Sequence, residues 1–113
     1  MDILEKQFST LKVLVVDDMD AIRNLVSSTL KELGVRTILQ APNGSVAWSH
    51  IQGAPIDMIV CDWDMPQVSG LELLELVRKS EKYSHIPFIM LTGSTEKSKV
   101  MNAVVAGVSD FLS

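Results

Sequence analysis

The chain has 113 residues with 47% hydrophobic and 21% charged residues, a composition that suits one globular domain and excludes a disordered chain. Ten basic and fourteen acidic residues give a formal net charge of −4, which argues against direct nucleic-acid binding because phosphate contacts need a basic face. A single cysteine, Cys61, excludes an internal disulfide framework and a cysteine-rich zinc site.

The first ten residues, Met1 to Thr10, mix charged and apolar side chains and lack the apolar centre of an export signal. No apolar run in the sequence approaches the roughly 20 residues that a membrane-spanning helix needs. The lone cysteine fits a reducing compartment. Together these features predict a cytoplasmic protein with no membrane partner.

Short apolar runs alternate with segments of helical period along the rest of the chain. The first run, Lys12–Val16, is continuous and rich in β-branched residues, which predicts a strand buried on both faces. In chain order the predicted strands are Lys12–Val16, Val35–Gln40, Ile56–Cys61, Ile86–Leu91 and Val108–Leu112.

Four helices are predicted between these strands from apolar residues spaced three or four positions apart. The first begins at Asp20, a good N-cap, and ends at Gly34. The second follows a break at Asn43-Gly44, the third begins at a capping box over Ser69–Glu72, and the fourth spans 95–106. This alternation predicts an α/β fold with a doubly wound, five-stranded parallel sheet covered on both faces.

Polar side chains follow three of the predicted strands at the point where each strand ends. They are Asp17 and Asp18 after the first strand, Asp62 and Asp64 at the third, and Thr92 after the fourth. The carboxyl ends of parallel strands share one edge, where such folds bind ligands. Two like charges 4 Å apart repel by about 4 kcal/mol at an effective dielectric near 20. A hard divalent cation such as Mg²⁺ removes that repulsion.

Each of these residues also has a purely structural interpretation. Two aspartates after a strand often cap the following helix, as Asp17 and Asp18 could. Asp62 alone could be a turn residue before Met65-Pro66, and Thr92 alone would usually be structural. These interpretations weaken because all of the residues are predicted at one end of the sheet. The sequence therefore favours a magnesium site there.

Five segments together resemble the receiver domain of two-component response regulators and, within that family, the single-domain chemotaxis regulators. They are Val13–Asp18, Cys61–Pro66, Ser69–Leu74, Leu91–Gly93 and Ala106–Phe111. Their spacing is consistent with the family from about residue 11 to the last residue. The resemblance implies a flavodoxin-like fold and a single receiver domain over residues 1–113.

The resemblance also implies roles for the residues at the strand ends. Asp62 is expected to accept a phosphoryl group and form an acyl phosphate. Asp17, Asp18 and Asp62 are expected to hold Mg²⁺, together with the backbone carbonyl of Asp64. Cys61 alternates away from Asp62 along the strand and is expected to be a small buried hydrophobe.

Two further residues are implied to carry the response to phosphorylation. Thr92 is expected to bond a phosphoryl oxygen and pull its loop inward, and the Phe111 ring is expected to change rotamer with it. The expected donor is a sensor histidine kinase or a histidine phosphotransfer protein. The expected receiver of the signal is an output partner or a fused output domain. No turnover of an external substrate is expected.

The sequence departs from the family pattern in three ways. The family's lysine is expected directly after Ser113 and is absent, and so is the family's final helix. A C-terminally truncated receiver is therefore expected, with one sheet face less well covered. The third departure is Phe111, which has no hydroxyl where some relatives carry tyrosine.

Two other classes of protein use the same edge of such a sheet. A flavodoxin-like module that binds a nucleotide or a flavin would need a phosphate-cradling loop after the first strand, where Asp17-Asp18 places negative charge instead. A phosphatase of the haloacid type has two aspartates separated by one residue after its first strand. Asp62-Trp63-Asp64 has that spacing, but at the third strand.

Overall fold

The computed structural model describes residues 3–62, 65, 69–91 and 106. Within these ranges it has four helices and four strands, which alternate along the chain. In chain order they are α1 (Ile3–Thr10), β1 (Lys12–Val16), α2 (Asp20–Glu32), β2 (Thr37–Ala41), α3 (Gly44–Gly53), β3 (Met58–Asp62), α4 (Gly70–Lys79) and β4 (Phe88–Leu91).

Some predicted elements and residues lie outside the described ranges. They are the strand over 108–112, the helix over 95–106 apart from Ala106, and the individual residues Trp63, Asp64, Thr92 and Phe111.

The four described strands form one parallel sheet in the order β2-β1-β3-β4. Strand β1 lies between β2 and β3, and its last residue, Val16, is opposite Ala41 on one side and Cys61 on the other. Asp62, the last residue of β3, is opposite Leu91 of β4. The α/β parallel sheet predicted from the sequence is confirmed in these strands.

Helices cover both faces of the sheet, as the doubly wound fold requires. Helices α1 and α2 lie on one face, where Phe8, Val26 and Leu30 join the strand residues Val13, Val15, Met58 and Val60 in a buried cluster. Helices α3 and α4 lie on the other face, where Ala47, Ile51, Leu73 and Val77 join Leu14, Val16, Ile59 and Cys61. Successive residues of each strand therefore alternate between two apolar layers.

Helix α1 was not predicted from the sequence. Phe8 is only 1% exposed and packs in the same cluster as Met58 and Val60, which are fully buried. The N-terminal segment is therefore part of the apolar cover of the sheet. The expectation of a less covered face does not hold at Met58 and Val60.

Helix α2 ends as predicted, at a glycine. Gly34 has a φ of 105°, in the left-handed region that glycine adopts without strain. Its N–H donates to the Lys31 carbonyl at 3.0 Å, and the Val35 N–H donates to the Leu30 carbonyl at 3.0 Å. Val35 therefore closes the helix, which is why β2 begins two residues later than predicted, at Thr37.

The start of α2 differs from its prediction. The N-cap residue is Met19, and its side chain makes no capping hydrogen bond; Asp20 is the first residue of the helix. The Asp20 carboxylate instead pairs with Arg23, one turn further along. An acidic residue in the first turn still interacts favourably with the helix dipole.

The start of α4 is capped as predicted, and the start of α3 is capped by Asn43, which the sequence analysis identified only as part of a break. The Asn43 side chain accepts a hydrogen bond from the Val46 N–H at 2.9 Å. The Ser69 hydroxyl accepts one from the Glu72 N–H at 3.2 Å. Among the described helices none is both long and apolar enough to cross a membrane.

Candidate functional site

The register of the sheet brings three carboxylates to one edge. Because Val16 of β1 lies opposite Cys61 of β3, the next residues along the chain, Asp17 and Asp62, lie side by side at the carboxyl edge of the sheet. Asp18 follows directly. Carboxylate oxygens of Asp17, Asp18 and Asp62 all lie within 4.8 Å of one another. Three of the five predicted strand-end residues therefore converge, while Asp64 and Thr92 lie outside the described residues.

Asp17 is the most constrained member of this group. It is 5% exposed, and its Oδ1 accepts a hydrogen bond from the Met19 N–H at 2.9 Å. Burial raises the pKa of the Asp17 carboxyl to about 6; the Met19 N–H opposes that shift, and the nearby Asp62 and Asp18 add to it. The raised pKa shows that negative charge is electrostatically costly at this edge.

The other two carboxylates are more accessible than Asp17. Asp18 is exposed and Asp62 is half-buried. The group therefore combines one buried carboxylate with two that reach solvent. That arrangement suits a Mg²⁺ ion, which takes oxygen ligands and retains several of its waters. All three side chains offer oxygen donors only, so the chemistry of the set fits a hard cation.

The start of α4 is packed directly against Asp62. A Cβ atom at Gly70 would overlap the backbone carbonyl oxygen of Asp62 and lie 2.9 Å from Sδ of Met90. Glycine alone fits this close approach of a helix to the end of β3. Gly70 thus helps to fix the backbone that carries Asp62.

Arg23 is a residue of this region that the sequence analysis missed. Its Nη1 donates to the backbone carbonyl of Asp17 at 2.7 Å, and its Nε donates to Oε1 of Gln40 at 3.2 Å. Its Nη2 pairs with the Asp20 carboxylate. The available signal was the spacing of Asp20 and Arg23, three residues apart on a predicted helix, which allows an ion pair on one face.

Cys61 faces the apolar layer under α3 and α4, as predicted. It is fully buried, and burial, with Asp62 and Asp17 nearby, raises the pKa of its thiol to about 12. The thiol is therefore neutral at physiological pH and behaves as a small hydrophobe.

The family comparison decides between the classes that the sequence left open. The response regulator receiver domain family matches residues 13–113. The chain belongs to this family. A receiver domain is the phosphoacceptor module of two-component signalling, and domains of the chemotaxis type are signalling proteins. The flavin or nucleotide module and the haloacid-type phosphatase are therefore not supported.

Individual relatives agree with the family match. The chain is 36% identical over 103 residues to chemotaxis protein CheY1 of Helicobacter pylori, covering 90% of this chain and 83% of that protein. It is 37% identical over 103 residues to the CheY homologue of Campylobacter jejuni, covering 90% of this chain and 79% of that protein. The match begins after α1, so this helix lies outside the family's own domain.

Solved structures show the same fold. The chemotaxis response regulator CheY4 of Vibrio cholerae superposes with a TM-score of 0.69 at 36% identity, covering 86% of this chain and 79% of that one. A response regulator from Chloroflexus aurantiacus reaches a TM-score of 0.78 at 21% identity, covering 88% of this chain and 98% of that one. The second likeness concerns the fold alone.

Proposed function

We propose that Asp62 is the phosphoacceptor of this receiver domain and that Asp17, Asp18 and Asp62 hold a Mg²⁺ ion beside it. The observation that carries the proposal is the meeting of these three carboxylates within 4.8 Å at the carboxyl edge of the sheet. Asp17 adds electrostatic support, because burial first, and then the nearby Asp62 and Asp18, raise the pKa of its carboxyl, and a divalent cation would favour the charged form.

Asp62 is favoured as the acceptor over its two neighbours by position and access. It is the last residue of β3 and lies opposite Leu91 of β4, so its backbone is held in the sheet. It is half-buried, whereas Asp17 is almost fully buried and has one carboxylate oxygen bonded to the Met19 N–H. Asp18 is exposed in the loop that follows β1. Only Asp62 combines a rigid backbone with an accessible carboxylate among these three residues.

The reaction is a transfer of the phosphoryl group from a histidine of a sensor kinase or of a phosphotransfer protein. An oxygen of the Asp62 carboxylate attacks phosphorus and forms a new O–P bond. The P–N bond breaks, and the histidine nitrogen keeps the electron pair and takes up a proton. When bound, Mg²⁺ supplies positive charge that offsets the charges of the carboxylates and of the phosphoryl oxygens.

Three residues outside the described ranges complete the proposal. The backbone carbonyl of Asp64 adds a metal ligand, Thr92 bonds a phosphoryl oxygen, and Phe111 changes rotamer as the loop moves. The phosphorylated form then favours binding to an output partner or a fused output domain. The protein is modified once rather than turning over an external substrate, and it acts in the cytoplasm.

The proposal is tested with a small acyl phosphate donor, Mg²⁺ and intact-mass measurement. One phosphoryl group is expected on the wild-type chain and none on Asp62→Asn. Asp57→Asn is a matched control, because Asp57 lies before the opposite end of β3, where its carboxylate accepts the Lys12 N–H. The control is expected to be labelled like the wild type. Labelling of Asp62→Asn, or steady hydrolysis of excess phosphate ester, would refute the assignment.

A further inference from the structure

The loop that carries Asp17 and Asp18 is tied to the rest of the fold by backbone hydrogen bonds. The Asp17 N–H donates to the Ala41 carbonyl of β2 at 3.2 Å, and the Arg23 N–H donates to the Met19 carbonyl at 3.0 Å. These bonds fix residues 17 and 19. The Asp17 carboxylate also accepts the Met19 N–H, and the peptide group between residues 17 and 18 has a further contact, from the Arg23 side chain.

The Arg23 guanidinium holds that peptide group by its oxygen. Nη1 donates to the Asp17 carbonyl at 2.7 Å, in a partly buried position. Because the peptide group is planar, fixing this oxygen also fixes the nitrogen and the Cα atom of Asp18, from which its side chain leaves the backbone. The Asp18 carboxylate is one of the three that meet at the edge of the sheet.

Arg23 is itself held from two other directions. Its Nε donates to Oε1 of Gln40 on β2 at 3.2 Å, and its Nη2 pairs with Asp20 at the start of α2. Gln40 is oriented in turn, because its Nε2 donates to the Ser27 hydroxyl at 3.0 Å. The Arg23 side chain is only 13% exposed, whereas the Asp20 side chain is 85% exposed. A planar fork of donors suits this three-way contact, and a lysine ammonium does not reproduce it.

We propose that Arg23 is a positioning residue for Mg²⁺ binding, which sets the direction of the Asp18 carboxylate by holding the Asp17 carbonyl. This inference rests on the proposed magnesium site. Groups that orient metal ligands typically contribute roughly 10- to 100-fold to metal affinity. Arg23 does so through the backbone rather than through a ligand side chain.

The sign of the effect separates this role from simple electrostatics. Arg23 is a cation next to a cation site, so its charge alone opposes Mg²⁺ binding. If charge were its only influence, Arg23→Gln would bind Mg²⁺ more tightly and Arg23→Lys would bind it unchanged. If Arg23 positions the loop, both variants bind Mg²⁺ more weakly.

The test measures Mg²⁺ affinity and phosphorylation on the full chain. Mg²⁺ alone is titrated into wild type, Arg23→Gln, Arg23→Lys and Arg36→Gln, followed by tryptophan emission and by the Asp18 amide signal in NMR. The rate of labelling by an acyl phosphate donor is then measured against Mg²⁺ concentration. Arg36 is an exposed arginine just before β2, so Arg36→Gln removes the same charge at the other end of that strand.

For both Arg23 variants we expect the half-saturating Mg²⁺ concentration to rise by roughly tenfold. The labelling rate at saturating Mg²⁺ should stay within about twofold of wild type, since the ion then holds Asp18 in place. Arg36→Gln should match wild type in both quantities. If Arg23→Gln fails to fold, Arg23→Lys decides by the same criterion.

Unchanged or tighter Mg²⁺ binding by Arg23→Lys would overturn the positioning role. A lower labelling rate at saturating Mg²⁺ in the Arg23 variants, with unchanged Mg²⁺ affinity, would also overturn it. These outcomes leave the proposed function intact, because the wild type still binds Mg²⁺ and is labelled at Asp62. A wild type that neither binds Mg²⁺ nor accepts phosphoryl would instead refute the proposed function itself, and the positioning role with it.

Discussion

The interior of the sheet and its carboxyl edge are built from the same strands but bury opposite kinds of side chain. Along β1, residues 13 to 16 are apolar and at most 1% exposed. One residue later, Asp17 is 5% exposed with a pKa raised to about 6. Apolar burial stabilises the fold, whereas a buried carboxylate beside two others destabilises it. The comparison shows that this protein carries an electrostatic cost at one edge, which the apolar layers must offset.

The largest expected effect lies in the interior, at the helix that the family match does not include. Phe8→Ala should lower the free energy of unfolding by about 3–5 kcal/mol, because Phe8 is 1% exposed in the cluster under α2. Denaturant unfolding measures the loss, and Lys6→Ala, at an exposed position of the same helix, is the control. A loss below about 1 kcal/mol would show that α1 is not part of the interior.

The contact between interior and edge can be tested at Gly70. Gly70→Ala should cost roughly 1–3 kcal/mol, because the added methyl group overlaps the Asp62 carbonyl and forces α4 away from β3. Gly53→Ala is a matched control, since nothing lies within 4 Å of a Cβ atom there. Equal stability of the two variants would contradict the close approach. Because the added methyl group would displace Asp62, labelling by the acyl phosphate donor should also be slower in Gly70→Ala but not in Gly53→Ala.

The third expected effect lies at the edge, and it has the opposite sign. The pKa of the Asp17 carboxyl is raised from its ordinary value of 3.8 to about 6 in the folded protein, so the folded state binds this proton more strongly than the unfolded state does. The cost of the buried charge is therefore full above pH 6 and disappears below about pH 4.

Without divalent cations, Asp17→Asn should therefore raise stability at pH 8, by an amount on the order of 2 kcal/mol, and by almost nothing near pH 3.5. Unfolding at the two pH values measures the difference. Glu75→Gln, at an exposed position of α4, is the control for the removal of one carboxylate away from the edge. Added Mg²⁺ should reverse the order by stabilising the wild type more than the variant. A variant that is less stable than wild type at pH 8 without metal would contradict the cost at the edge.

Most of the described fold could be predicted because β1, β3 and β4 contain runs of consecutive apolar residues, whereas β2 includes the polar residues Thr37 and Gln40. The strand Lys12–Val16 has its predicted bounds, and the parallel sheet follows from the alternation of strands and helices. The first residues of the strands were less predictable, because Val35 and Pro87, which were predicted in strands, lie outside β2 and β4. Val35 closes the end of α2, and Pro87 has no N–H to donate to the ladder, so β4 starts at Phe88.

Helix α1 could not be predicted because its role is tertiary. Ile3–Thr10 is a short helix of mixed polarity, and short isolated helices are marginal in water. Its place in the fold depends on the burial of Phe8 against residues far along the chain, such as Val60. A local pattern contains no information about that contact.

The acidic group was predictable from topology alone, since parallel strand ends must share an edge. The residues that hold this acidic group in place were not predictable. In the sequence, Arg23 has the pattern of an ordinary polar residue on an amphipathic helix. Its hydrogen bonds to the Asp17 carbonyl and to Gln40 join segments that come together only in the folded chain. Gly70 is similar, because its need for glycine comes from the Asp62 carbonyl on another element. The roles of Thr92 and Phe111 stay predictions.

The central claim is that the phosphoryl group is carried by Asp62. The most direct measurement labels the wild-type chain with an acyl phosphate donor and Mg²⁺ and then treats it with borohydride, which reduces an acyl phosphate to an alcohol. Peptide mass spectrometry then locates the reduced residue. We predict homoserine at position 62 and unmodified aspartates at positions 17 and 18. Reduction at position 17 or 18, or a phosphoryl group that resists borohydride, would contradict the claim.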